Sequence, residues 1–226
     1  MPRVARIVAV DYPHHITQRG NYKQNIFSDK SDREKYLTFI KNESKQYGVT
    51  ILAYCLMPNH VHFIGVPEKE NSLGDTFKYA HMKYSQYYNK KKKLTGHLFQ
   101  GRFYSSVMDE VHTLACARYI ERNPVRARLA KKPYLYEFSS ARVHCRIDQF
   151  DNLEVNKLFK YIDEQQENWA NFIEAESDKD QIKEIRKKTK SGRPIGSFRF
   201  IDEVEKKLGR RLKLKSKGRP KKIGKK

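Results

Sequence analysis

The chain has 226 residues, with 47 Lys and Arg against 26 Asp and Glu, for a formal charge of +21. Such a length holds one domain of ordinary size plus an appendage. The charge suits a polyanion, either nucleic acid or an anionic membrane surface. There is no run of about 18 apolar residues and no signal-peptide pattern. A membrane-spanning or secreted protein is therefore not expected, and a cytoplasmic, nucleoid-associated one is. The three cysteines, Cys55, Cys116 and Cys145, are scattered and form no Cys-x-x-Cys unit, which fits packing residues in a reducing compartment.

The charge is unevenly spread. Residues 187–226 carry 17 Lys/Arg and 3 acids, whereas residues 151–180 carry 9 acids and 3 Lys. This pattern predicts a folded body over 1–145, an acidic then mixed helical connector over 146–190, and a basic tail over 191–226.

In chain order, residues 3–10 are rich in β-formers, and a first strand is expected over 15–18, ending in the Gly20-Asn21 turn. Ser31 with Glu34 reads as a capping box. The helix it opens carries Tyr36, Phe39, Ile40 and Tyr47 near a 3.6 period and stops at Gly48. Strands follow over 49–56 and 60–66, joined at Pro58-Asn59. A second amphipathic helix covers 72–90, and residues 90–93 are a lysine run. A strand with an internal glycine is expected over 97–107. The order is β-α-β-β-α-β, an α+β, ferredoxin-like antiparallel sheet.

His60-Val61-His62 lies inside the third strand. Residues two apart on a strand point to one side, so both imidazoles aim at one place and are candidates to hold a divalent metal. A pair of this kind also arises by chance. His14 and His15 are further candidates, but adjacent strand residues face opposite ways, so at most one can join the pair; a core-edge or substrate-contacting role suits them better.

Asp109 can cap a helix that runs to Pro124, with Leu114, Ala117 and Ile120 as its inner stripe. Tyr119 and Asn123, four apart, share a face of it. They read either as a pair presented to a site or as a packing tyrosine and a capping amide. Residues 125–145 look like a packed strap. Leu158, Phe159, Ile162, Trp169, Phe172 and Ile173 recur at helical spacing and suit core packing. In the tail, Ser191-Gly192-Arg193-Pro194 precedes a short helix, Phe198–Leu208, and Lys217-Gly218-Arg219-Pro220 closes the basic run. A Gly-Arg-Pro core among lysines resembles an AT-hook, whose arginine enters the minor groove. It is equally a solvated run making phosphate contacts.

Four stretches together carry a family resemblance: Thr17-Gln18-Arg19-Gly20-Asn21, Met57-Pro58-Asn59-His60-Val61-His62, Gly101-Arg102-Phe103-Tyr104-Ser105, and Arg118-Tyr119-Ile120-Glu121-Arg122-Asn123-Pro124-Val125-Arg126-Ala127. Over about residues 10–140 the chain resembles the single-tyrosine HUH (His-hydrophobic-His) transposases, and within them the REP-associated tyrosine transposase branch. The resemblance implies a ferredoxin-like catalytic domain with an added catalytic helix. It implies metal binding by His60 and His62, a nucleophilic Tyr119, and Asn123 where a polar side chain completes the metal site. The metal implied is Mg²⁺ or Mn²⁺, and the substrate single-stranded or hairpin DNA, cut and rejoined through a covalent 5′-phosphotyrosine. Either a monomer or a homodimer is compatible. Arg19, Arg102, Arg193, Lys217 and Arg219 are candidate DNA contacts. Two other readings remain: a non-catalytic nucleic-acid binder on the same fold, and a metal-dependent nuclease that uses water, with Tyr119 structural.

Overall fold

The structure, a computed structural model, describes residues 6–149, 152–162, 165–176 and 178–213. Strands β1 (His14–Arg19), β2 (Val49–Met57), β3 (His60–Pro67) and β4 (Tyr104–Val107) form one sheet in the order β2-β3-β1-β4, with every pairing antiparallel. Helix α1 (Lys30–Tyr47) joins β1 to β2, and α2 (Ser72–Lys92) joins β3 to β4. This is the expected α+β, ferredoxin-like order. No helix among the described residues is long and apolar enough to cross a membrane.

Strand alternation gives the sheet two distinct faces. Ile16, Val61 and Phe63 pack on one face against Tyr36 and Ile40 of α1 and Leu73, Phe77 and Tyr84 of α2. The register sets Thr17 opposite His62 and Arg19 opposite His60, so these side chains share the other face with His15 and Ile64. Helix α3 (Glu110–Glu121) covers that face, with Cys116 and Ile120 buried against Ala53 and Ile64. After it come α4 (Asn123–Arg126), α5 (Ala141–His144), α6 (Trp169–Glu174), α7 (Lys179–Ser191) and α8 (Phe198–Leu208).

Several local expectations change. The cap of α1 is Asp29, whose carboxylate accepts from the Asp32 amide, and not a Ser31/Glu34 box; Ser31 itself donates to Asp29. Residues 6–10 are not a strand, although Ile7 and Ala9 are buried. The fourth strand begins only at Tyr104. Leu98 and Gln100 still bond to the β1 side, through Asn21 N to the Leu98 carbonyl and Gln100 N to the Arg19 carbonyl. Gly101, at φ 122, then breaks the run in a conformation open to glycine. Pro124 does not stop the chain from coiling. It sits in the first turn of α4, where its missing N–H costs nothing.

Both sheet edges are covered, which removes the hazard of open strand edges. The 133–145 strap lies on β2, with Leu56 N bonded to the Phe138 carbonyl and Ser140 N to the Tyr54 carbonyl. On the β4 edge, Ile195 N donates to the Val107 carbonyl. The region from residue 191 is therefore no separate tail as far as it is described. Phe200, Val204 and Leu212 pack with Ile7, Ala9 and Val107. The helix over Phe198–Leu208 is as expected, capped by Ser197.

Asp109 caps α3 as expected, accepting from the His112 amide, and its other oxygen accepts from Ser197 N. Its Oδ1 also meets His112 Nδ1 at 2.6 Å. Burial works to raise the Asp109 carboxyl, but the His112 and Ser197 bonds outweigh it and hold it low. Asp109 in turn raises His112. A raised folded-state histidine contributes stability that is fully present below its unfolded pKa and is lost as pH rises through the folded value. His112→Ala is thus expected to cost about 1 kcal/mol at pH 6 and less at pH 8.5, read from urea melts at both pH values. An equal or larger cost at pH 8.5 would contradict the pairing.

Candidate active site

Strands β1, β3 and β4 and helices α3, α4 and α7 build one cleft of about 510 Å³. His60 and His62 stand on its β3 wall, with ring centroids 5.0 Å apart and planes at 83°. The Tyr119 ring of α3 lies edge-on to His62 at 5.6 Å. Tyr119 is four residues before Asn123, and both side chains are buried. The helix that carries the tyrosine belongs to the same chain as the histidines. The sequence could place these groups on a strand and a helix but could not say that they would face one another.

Electrostatics in the cleft is set by burial and by arginines. Burial, together with Arg19 and Arg186, lowers His60 to about 4. Burial and the neighbouring His60 and His15 hold His62 well below its usual range. Both imidazoles are therefore neutral at pH 7, the form that binds a metal. Burial pushes the Tyr119 phenol up, and the bond from Arg186 pulls it back. Arg186 Nε donates to the phenol oxygen at 3.3 Å. The guanidinium groups of Arg126 and Arg186 lie 5.4 and 5.6 Å from the Tyr119 ring centre. A neutral donor pair, a phenol and two cations facing one space can receive a phosphate.

The donor atoms decide whether a divalent cation fits. Asn59 Nδ2 donates to the Lys23 carbonyl at 3.1 Å, so its oxygen is the atom that faces His60 Nδ1 at 2.6 Å. His60 Nδ1 must then carry the proton, and its Nε2 carries the electron pair a metal needs. Among the described residues, no group of three His, Cys, Asp or Glu side chains is arranged to hold a metal ion by itself. Further donors would be oxygens, from an amide, a phosphate, water or a phenol, which suits a hard ion. Asn123 is less open than its position suggests. Its Oδ1 accepts from Arg126, and its buried Nδ2 has no hydrogen-bond partner among the described residues.

The candidate DNA contacts separate. Arg19 is exposed at the cleft, beside His60. Arg102 instead lines a second cavity of about 640 Å³ with Arg6, Phe99 and Phe103. Arg193 Nη1 donates to the Leu212 carbonyl at 3.0 Å, so it ties the last described segment to the body. Lys217 and Arg219 lie outside the described residues. Of the 90–93 run, Lys91 is paired with Asp29 and Asp32. His14 is a packing residue, with Nδ1 at the Tyr12 carbonyl and Nε2 accepting from Ala9 N. His15 does join the site, as a partner of His62.

Sequence reasoning misses Arg126, Arg186 and Thr189. Arg126 lies within the stretch that carries Tyr119, one turn beyond Arg122, and nothing local marks it out from the other arginines there. Arg186 and Thr189 have no local signal, since α7 reads as one more charged helix of a connector.

The antiparallel sheet and its helices make an α+β domain, and this cleft is its candidate site. A model described as IS200-like transposase matches residues 9–123, half of the chain, and the chain belongs to that family. Among solved structures it is similar to a REP-associated tyrosine transposase bound to a REP hairpin, at 17% identity and a TM-score of 0.53, covering 68% of this chain and 90% of that one. It also matches a protein from Deinococcus radiodurans R1 described as a transposase, at 15% identity and a TM-score of 0.38, covering 54% of this chain and 97% of that one. The first likeness shows the fold. None of the curated proteins matches the chain.

Proposed function

We propose that the chain is a metal-dependent transposase of the REP-associated branch that cleaves and rejoins single-stranded DNA, with repeat hairpins as its substrate. One observation carries this reading: within a single chain, the Tyr119 phenol stands against the His60 and His62 pair in a cleft lined by Arg126 and Arg186. Family membership supports strand transfer as the reaction class, and the REP hairpin bound by the similar transposase supports a hairpin substrate.

The residues divide the work. The Tyr119 oxygen attacks the phosphorus, and a P–O bond to tyrosine forms as the P–O3′ bond breaks. The phenol proton is lost to solvent, and the leaving oxygen takes up a proton to become a free 3′-OH. The product is a 5′-phosphotyrosine, still a phosphodiester, so a second 3′-OH can reverse the step without ATP. Arg126 and Arg186 neutralise the phosphate, and Arg186 favours the ionised phenol. His60 and His62 would hold Mg²⁺ or Mn²⁺. That ion, when bound, draws electron density from a non-bridging phosphate oxygen. Asn123 is the candidate third ligand, and its oxygen, which accepts from Arg126, would have to give up that bond to take the role. Either a monomer or a homodimer is compatible with this set of residues.

The test is to incubate the protein with end-labelled single-stranded hairpin DNA and Mg²⁺ or Mn²⁺. A denaturation-resistant protein–DNA adduct that a chelator prevents is expected. Cleavage without an adduct would point to water as nucleophile. Binding with no cleavage would point to a non-catalytic binder. Either result contradicts the proposal.

A further inference from the structure

One chain of hydrogen bonds runs from α7 through β1 to the metal-facing histidine of β3, and each donor in it is fixed by the one before. Thr189 Oγ1 donates to the Ile185 carbonyl at 2.7 Å, and a carbonyl can only accept. The single hydroxyl proton is spent there. The contact of 2.7 Å between Thr189 Oγ1 and His15 Nδ1 must then be a bond from the imidazole N–H to the hydroxyl oxygen. His15 is 1% exposed and no carboxylate among the described residues bonds to it, so a second proton on this ring would be a buried charge without compensation. Its Nε2 therefore holds an electron pair. That atom lies 2.9 Å from His62 Nδ1, and two nitrogens at this distance share one proton. The proton belongs to His62 Nδ1. His62 is left with its electron pair on Nε2. The His15 and His62 rings are nearly coplanar, with centroids 5.1 Å apart and planes 9° from parallel, the side-by-side geometry of an in-plane N–H···N bond.

We propose that Thr189 and His15 are positioning residues that lock His62 in the Nδ1–H tautomer and so present its Nε2 electron pair to a divalent cation. The inference rests on the proposed metal role of His60 and His62, and it goes beyond that role. A partner that holds the outer nitrogen of a metal-binding histidine is usually a carboxylate or a backbone carbonyl. Here it is a second histidine, oriented in turn by a threonine. Asn59 does the same for His60, so each imidazole is oriented by a separate neutral device. Neutral partners add no negative charge to a cleft that must accept a phosphate.

The relay also gives the C-terminal region a part in the site. Thr189 lies well outside residues 9–123, which the family model matches. It sits on α7, the helix that also brings Arg186 to Tyr119.

The experiment reads tautomers first, without metal. Long-range ¹⁵N–¹H correlation spectra of the metal-free protein, labelled at histidine, show which nitrogen of each ring is protonated. The wild type is expected to show protonated Nδ1 and unprotonated Nε2 for both His15 and His62. Thr189→Val removes the acceptor with little change in volume. His15 then moves its proton to Nε2, donates to His62 Nδ1, and drives the His62 proton to Nε2. Mn²⁺ affinity, from titration of the same samples, is expected to fall about 10–100-fold. Thr189→Ser restores the hydroxyl and should restore both readings, which separates the relay from a packing effect of α7. A wild type with the proton on His62 Nε2 would overturn the lock, as would a Thr189→Val protein with unchanged tautomers and unchanged Mn²⁺ affinity. The expected tautomers in a wild type that binds no Mn²⁺ would support the lock and overturn the metal reading.

Discussion

Tyr119→Phe is expected to abolish the protein–DNA adduct and to lower strand cleavage by a factor on the order of 10⁴ or more. The substitution removes one oxygen from a side chain buried between α3 and the sheet, so the ring and its contact with His62 remain. Folding and hairpin affinity should change little. Arg186→Ala is a graded version of the same test. Burial lifts the Tyr119 phenol above its ordinary value, and Arg186 opposes the lift. Removing the guanidinium raises the phenol further. At pH 7 the ionised fraction then falls, tenfold for about every 1.4 kcal/mol of phenolate stabilisation that is lost. The cleavage rate at neutral pH should drop, and its rise with pH should move to the alkaline side. Arg186→Lys keeps the charge and should fall between the two. A uniform drop at every pH would assign Arg186 to phosphate binding alone.

Glu121→Ala is expected to cost about 3–5 kcal/mol of stability, a large part of what a domain of this size has. Glu121 follows Tyr119 by two residues on α3 and is fully buried. Its Oε1 accepts from Ser140 Oγ at 2.5 Å and faces His144 Nδ1 at 2.6 Å, and its Oε2 accepts from Trp169 Nε1 at 2.7 Å. His144 Nε2 meets the Val155 carbonyl at 3.0 Å, so it must carry its own proton, and one further proton lies between His144 and Glu121. The carboxyl thus ties the strap, the 155–160 turn and α6 to the helix that carries the nucleophile. Alanine leaves a buried hydroxyl, imidazole and indole N–H without their acceptor, besides a cavity. Glu121→Gln keeps the shape and can donate to a neutral His144, so about 1–2 kcal/mol is expected. Denaturant melts of the two variants check the difference. Equal, small losses would show that the cluster is not what holds α3 in place.

Local pattern made much of the fold legible. β-forming composition between turn residues marked β2 and β3, and Gly48 stops α1 in the left-handed conformation that glycine supplies. The helix over Phe198–Leu208 was readable to the residue from its apolar phase. Local pattern failed where a long-range contact decided. The 97–107 run has strand composition, but Gly101 takes it off the β1 edge. Arg193 resembles a groove-reading arginine in sequence, and in space it bonds the Leu212 carbonyl. The site followed the same division. His60 and His62 are bound to share a face by their spacing, and Tyr119 and Asn123 by theirs. That Asn123 spends its oxygen on Arg126, and that α7 returns to place Arg186 and Thr189 beside residues more than 60 positions earlier, depends on packing that no window of sequence contains.

The most direct measurement is to trap the adduct with a hairpin strand in Mn²⁺, digest the protein, and locate the modified peptide by mass spectrometry. The phosphodiester to the DNA 5′ end is expected on Tyr119, with a free 3′-OH on the released strand. A link at any other of the 14 tyrosines, or a cut strand ending in a 5′-phosphate with no linked peptide, would contradict the account.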